Sequence, residues 1–145
     1  MLLLGLSCIN QKQEGDELKF NAELASDLEQ RAELDQIAAW IPEGKFKEYS
    51  QEEWNSFKDS VFTSNKVFLE EVLNKYGYPG YDLVGKAGEK NYWVMVQHCD
   101  FDPQFQARVL EKLKLQVDAD NADGRNFGLL TDRVRLNSNK KQVYG

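Results

Sequence analysis

Residues 91–103 read Asn-Tyr-Trp-Val-Met-Val-Gln-His-Cys-Asp-Phe-Asp-Pro and set the most apolar run of the chain directly against its only histidine. Any fold that buries Tyr92, Trp93, Val94, Met95 and Val96 also carries Gln97, His98, Cys99 and Asp100 to the edge of its core. A polar group buried without a partner costs on the order of 1–3 kcal/mol, so these side chains are expected to bond one another or a bound species. So short an apolar run suits helix or strand. The length of the segment from Lys86 to Asp100 favours a helix, with Asp102 and Pro103 as N-cap and first-turn proline of the next one. As a strand, the same segment would put His98 and Asp100 at its carboxyl end, a usual ligand position in α/β proteins.

The rest of the chain is dominated by helical spacing. Residues 16–40 repeat Leu24, Leu28 and Ala32, then Leu34, Ile37, Ala38 and Ile41, and are closed by Pro42 and Gly44. Asp35 and Gln36 fall near the inner stripe of that helix. Ser50 and Glu53 form a capping-box pattern ahead of a second helix. Its apolar set, Trp54, Phe57, Val61, Phe68 and Val72 widened by Phe62, Leu69, Leu73 and Tyr76, predicts burial against at least two neighbours. Gly77-Tyr78-Pro79-Gly80-Tyr81 reads as a rigid turn, and Leu83, Val84 and Gly85 lead into the central helix. A fourth helix is expected from Pro103 to about Asp118, with Phe105, Val109, Leu113 and Val117 inward. Phe127 to Arg133 gives a short fifth helix. Val134, Leu136, Val143 and Tyr144 then bracket Asn137-Ser138-Asn139-Lys140 as strand, turn, strand. The expected class is mainly α: about five helices in an orthogonal bundle with a short C-terminal β-hairpin.

At 145 residues the chain makes one domain, expected over residues 16–145 with a clipped C-terminus. A net charge of −6 argues against nucleic acid as the main partner, since phosphate binding needs clustered Lys and Arg. Arg133, Arg135, Lys140 and Lys141 form the one cationic concentration, enough for a single anionic group. Cys8 and Cys99 are the only cysteines, which excludes a disulfide framework. No stretch reaches the roughly eighteen apolar residues of a spanning helix.

Residues 1–9 are apolar and give way to a polar tract. Leu-Gly-Leu-Ser-Cys8 resembles a relaxed bacterial lipobox, so residues 1–15 are expected to be a signal remnant and tether, with Cys8 lipidated. That predicts a cell-envelope lipoprotein attached to the membrane only through Cys8. The alternative is an apolar N-terminal turn packed on a cytoplasmic domain.

Asp35-Gln36, Gly77-Tyr78-Pro79, Val84-Gly85, Val96-Gln97-His98, Asp102-Pro103, Thr131-Asp132-Arg133-Val134 and Gln142-Val143-Tyr144-Gly145 occur in that order. Together they resemble a bacterial domain family of unknown function with DQ, G-x-P, QH-x-D and DRV motifs and a closing Q-x-YGTQ. The similarity runs from about Leu24 to Gly145. The arginine that follows DQ in the family falls at Ala39 here, and the closing Thr-Gln is missing. The resemblance implies a fold and candidate positions but no reaction.

His98 with Asp100 and Asp132 supplies an imidazole and carboxylates, the materials of general acid–base catalysis. One reading is therefore a hydrolase or group-transfer enzyme with His98 as base, Asp132 orienting it, and water or Cys99 as nucleophile. Gln97, Asp100, Arg133, Gln142, Tyr144 and Tyr78 are the candidate ligand-binding residues, Arg133 by bidentate contact with a carboxylate or phosphate. A second reading is a tethered module that binds a small molecule or an envelope protein, with Tyr76, Tyr78, Tyr81 and Phe101 as contact surface. The third is architectural: Gln97, His98, Asp132, Arg133 and Gln142 form a polar network pinning the hairpin to the bundle. No cofactor or metal is expected. Asp118, Asp120, Asn121 and Asp123 lack the EF-hand order, and His98, Asp100 and Asp102 match no strong metal spacing.

Overall fold

The computed structural model describes residues 20–145. Lipidation at Cys8 and the N-terminal tether therefore lie outside the described residues. Five α-helices follow in order: α1 (Ala22–Ala39), α2 (Gln51–Tyr76), α3 (Tyr81–Gln97), α4 (Pro103–Asp118) and α5 (Gly124–Asn137), with a short 3-10 helix at Gly44–Glu48 between the first two.

Local signals account for where these helices start. Asn21 caps α1 by accepting from the Leu24 amide at 2.9 Å. Ser50 and Glu53 complete a reciprocal capping box on α2. Asp102 caps α4 through the Phe105 amide, with Pro103 in the first turn. Asp123 caps α5 at the Arg125 amide.

Helix α3 occupies the centre and touches all four others, while α1 packs chiefly along it. Its first turn is set off by a kink at Gly85, whose φ of 71° lies in the left-handed region that a side chain disfavours. The kink folds Val84 back over Gly88, where an added Cβ would sit 2.6 Å from the Val84 Cβ. Tyr92, Met95 and Val96 are fully enclosed by Leu28, Leu69, Phe105, Val109, Leu113 and Leu130 from the surrounding helices. The other end of α2 lies outside this core, in an aromatic cluster of Phe46, Tyr49, Trp54 and Phe57 with the 3-10 helix.

Two expectations are corrected. The central helix ends at Gln97, with His98 as its C-cap, rather than running to Asp100. The C-terminal hairpin is absent: there is no strand among the described residues, and Val134 and Leu136 belong to α5. Phe127, Leu130 and Val134 recur at helical spacing and pack on the core, which carries the helix through the segment read as a strand. Beyond Asn139, with φ at 57°, the chain doubles back. Its amides then meet a side chain instead of a second strand, as the Asp132 carboxylate accepts from Val143 N at 2.6 Å and from Tyr144 N at 3.1 Å.

Candidate functional site

The C-terminal ends of α1 and α3, the inner side of α5 and the returning tail enclose an open cavity of about 720 Å³. Gln97, His98, Asp100, Asp132, Arg133 and Gln142 all line it, so the two polar pairs 97–98 and 132–133 do meet. Gln36, Trp40, Trp93 and Asn137 line it as well.

Asp35 is the residue that organises His98. It sits in the inward stripe of α1 with Leu24, Leu28, Ala32 and Ala38 and is fully buried. Its Oδ2 accepts from His98 Nδ1 at 2.6 Å and from Gln36 Nε2 at 3.3 Å, and its Oδ1 accepts from Asn65 Nδ2 at 3.3 Å. The Phe62 ring lies against the imidazole with centroids 5.1 Å apart. A carboxylate on Nδ1 keeps a proton there and leaves Nε2 as the exchanging nitrogen. Among the described residues Nε2 has no protein hydrogen bond, and the side chain is 23% exposed, open to the cavity it lines.

Asp132, expected to orient His98, instead ties down the tail amides at 143 and 144. Asp100 is held in a separate network: Arg133 donates through Nε and Nη2, both at 2.8 Å, and Asn137 and Gln106 donate at 2.9 and 3.1 Å. Burial alone would raise the pKa of Asp100, but these hydrogen bonds and the Arg133 charge bring it down to about 2. Gln106 also donates to the Val96 carbonyl at 3.1 Å, fastening α4 to the end of α3.

Gln97 stands apart from both networks. It is 8% exposed, and its Nε2 is buried without a hydrogen-bond partner. Buried side-chain amides are nearly always paired, so this enclosed, unpartnered donor carries a cost in stability.

Three expected residues do other work. Tyr78 is enclosed in the core, with its ring 5.2 Å from that of Tyr92 and its hydroxyl donating to Glu89 Oε1 at 2.6 Å. Tyr144 has its ring against Phe127 and is not part of the cavity lining. Cys99 is fully buried, its Sγ facing the Met95 carbonyl at 3.5 Å. Burial, helped by the Asp35 charge, pushes its pKa up to about 12, so it offers no thiolate at neutral pH. Among the described residues no group of three or more His, Cys, Asp and Glu is arranged to hold a metal ion.

Residues 23–145 match the family of unknown function DUF6624. The chain belongs to that family. No curated protein and no solved structure matches it. The matched span takes in every residue of the cavity, and four of the seven pieces that carried the resemblance meet there: Gln36 from α1 with Asp35 behind His98, Gln97-His98 from α3, Asp132-Arg133 from α5 and Gln142 from the tail. Ala39 also lines the cavity.

Sequence reasoning placed His98 at the site but missed Asp35 as its partner. The available signal was a charged residue at an inward position of α1, which can be buried only against a donor. Trp40 and Trp93 gave no signal beyond their apolar character.

Proposed function

We propose that the cavity is a small-ligand site in which His98 Nε2 accepts a proton from the ligand or from a water beside it. The observation that carries this reading is the 2.6 Å contact between the enclosed Asp35 carboxylate and His98 Nδ1, made at the wall of an open cavity. Asp35 fixes the orientation of the ring through Nδ1. The chemistry this supports is hydrolysis or group transfer with water or a ligand hydroxyl as nucleophile, because Cys99 is enclosed and held as a thiol. Asp100, Gln106, Arg133 and Asn137 satisfy one another and act as the brace joining α4 and α5 to the end of α3.

Ligand-observed NMR with a library of small polar molecules, run on wild type and His98→Gln, tests the reading. Glutamine retains a donor for Asp35 but cannot take up a proton. Binding or turnover lost in a variant that melts like wild type supports a site; a large fall in stability with unchanged binding supports a purely architectural histidine. We also place the domain in the cell envelope, on the strength of Leu-Gly-Leu-Ser-Cys8. Palmitate incorporation in a bacterial host, abolished by Cys8→Ser, is the expected result.

A further inference from the structure

A second hollow adjoins the His98 cavity and differs from it in chemistry. It holds about 570 Å³ where the chain leaves α1 for the 3-10 helix, and its walls are Ile37, Trp40, Ile41 and Phe46 with Gly44. Glu43 is its one charged residue. Trp40 is 71% and Ile41 73% exposed, the two highest values among the large apolar side chains described. Apolar surface left open in a concavity of this size is what ligand pockets offer to the hydrocarbon part of a molecule.

The two hollows share Gln36 and Trp40. These residues are four positions apart at the end of α1, so the common rim is about one helical turn, roughly 5.4 Å. Gln36 Nε2 donates at 3.3 Å to Asp35 Oδ2, the same oxygen that holds His98 Nδ1 at 2.6 Å. One molecule can therefore touch the imidazole and lie over the Trp40 ring together.

The imidazole end can be reached. Gln97 Nε2 is the one enclosed side-chain nitrogen or oxygen without a partner among the described residues, so His98 Nε2, also unpartnered, keeps accessible surface. The charges around it are mainly negative. Asp100 and Asp132 line the cavity and Glu43 the hollow, while Arg133, the only lysine or arginine on either wall, is held by Asp100 through Nε and Nη2. An anionic head would meet three carboxylates against one engaged guanidinium.

Resting on the reading of the His98 cavity as a ligand site, we propose that its ligand is an uncharged amphiphile, with a hydroxyl head that donates to His98 Nε2 and an alkyl arm that crosses Gln36 and lies on Trp40 and Ile41. The head makes the contact that the chemistry needs. The arm supplies affinity, by about three- to fourfold for each methylene taken out of water.

Butan-1-ol, hexan-1-ol and octan-1-ol share the head and differ in the arm, and octanoate replaces the head with an anion. Each is titrated into the whole protein while the His98 ring nitrogens are followed by NMR and Trp40 by fluorescence, taken as the difference from Trp40→Phe. The expected result is a saturable His98 shift with every alcohol, about a hundredfold tighter for octanol than for butanol, and a blue shift of Trp40. Octanoate is expected to bind at least tenfold more weakly than octanol. Ile41→Asp, at an exposed position outside the His98 cavity, is expected to flatten the chain-length dependence and keep the butanol response. A His98 response equal for all three alcohols would overturn the alkyl arm and leave the His98 site standing. Octanoate as tight as octanol would overturn the uncharged head. A chain-length dependence seen by Trp40 but not by His98 would overturn the joined site. Trp40 emission that is blue before any alcohol is added would show the hollow already covered, by a second copy if it changes with protein concentration and by this chain if it does not, and either would overturn the arm. Silence from His98 and Trp40 alike would overturn the amphiphile together with the reading of the cavity as a site.

Discussion

Asp35 and His98 stand on different helices and meet through a 2.6 Å hydrogen bond between a carboxylate with no solvent exposure and an imidazole that opens to a cavity. A carboxylate so enclosed is stable only while its donors remain: His98, Asn65 and Gln36 surround it. The contact therefore joins architecture to chemistry, since α1 is anchored to the end of α3 by the same bond that orients the ring.

Removing the carboxylate strips three donors of their acceptor. Asp35→Ala is expected to lower unfolding stability by roughly 2–4 kcal/mol, as charged hydrogen bonds are lost and buried polar groups are left unpaired. Urea denaturation measures it. A loss within experimental error of zero would mean that the pair is not made.

Gln97 predicts the opposite sign. Replacing it with methionine removes a buried, unpartnered Nε2 and keeps the volume, so Gln97→Met is expected to gain about 1–3 kcal/mol. A less stable variant would show that the amide is satisfied in solution.

Asp100 and Glu89 shape the pH dependence with opposite signs. The folded-state pKa of Asp100 is lowered from an ordinary 3.8 to about 2, so its contribution is complete above the ordinary value and is lost as pH falls through that window. Because the Asp100 side chain is 47% exposed, solvent screening limits this to roughly 1 kcal/mol. Burial raises the pKa of Glu89 against the opposing hydrogen bonds from Tyr78 and Asn126, so its contribution is greatest at acid pH and is lost as pH rises through the folded-state value. In unfolding free energy against pH, Asp100→Asn is expected to flatten the limb below pH 3.8. Glu89→Gln is expected to flatten the fall above the ordinary glutamate value of 4.5.

Much of the helical layout is legible in the sequence because each signal there is local. Asp102-Pro103 and the Phe105, Val109, Leu113 stripe define α4, and Ser50 with Glu53 starts α2. The C-terminal region misleads because Val134, Leu136, Val143 and Tyr144 alternate around a polar turn over too few residues to separate a period of two from a helical one. What breaks the tie is Asp132, which offers the tail amides a carboxylate in place of a partner strand. The site is half legible for a similar reason. Polar residues beside an apolar run mark where Gln97 and His98 lie, but which carboxylate reaches the imidazole depends on how α1 lies along α3, and no spacing within a single segment encodes that.

The tail gives a prediction of its own. Asp132→Ala is expected to speed amide hydrogen exchange at Val143 and Tyr144 by at least tenfold, about 1.4 kcal/mol of protection, with the helical amides of α1 to α4 unchanged. Unaltered exchange at those two amides would mean that the carboxylate does not hold the tail.

The most direct test is the nitrogen spectrum of the neutral His98 ring. The proton is predicted to reside on Nδ1, facing Asp35, with Nε2 bare and shifting when a cavity ligand is added. A proton found on Nε2, or a ring whose nitrogens do not respond to Asp35→Asn, would contradict the account.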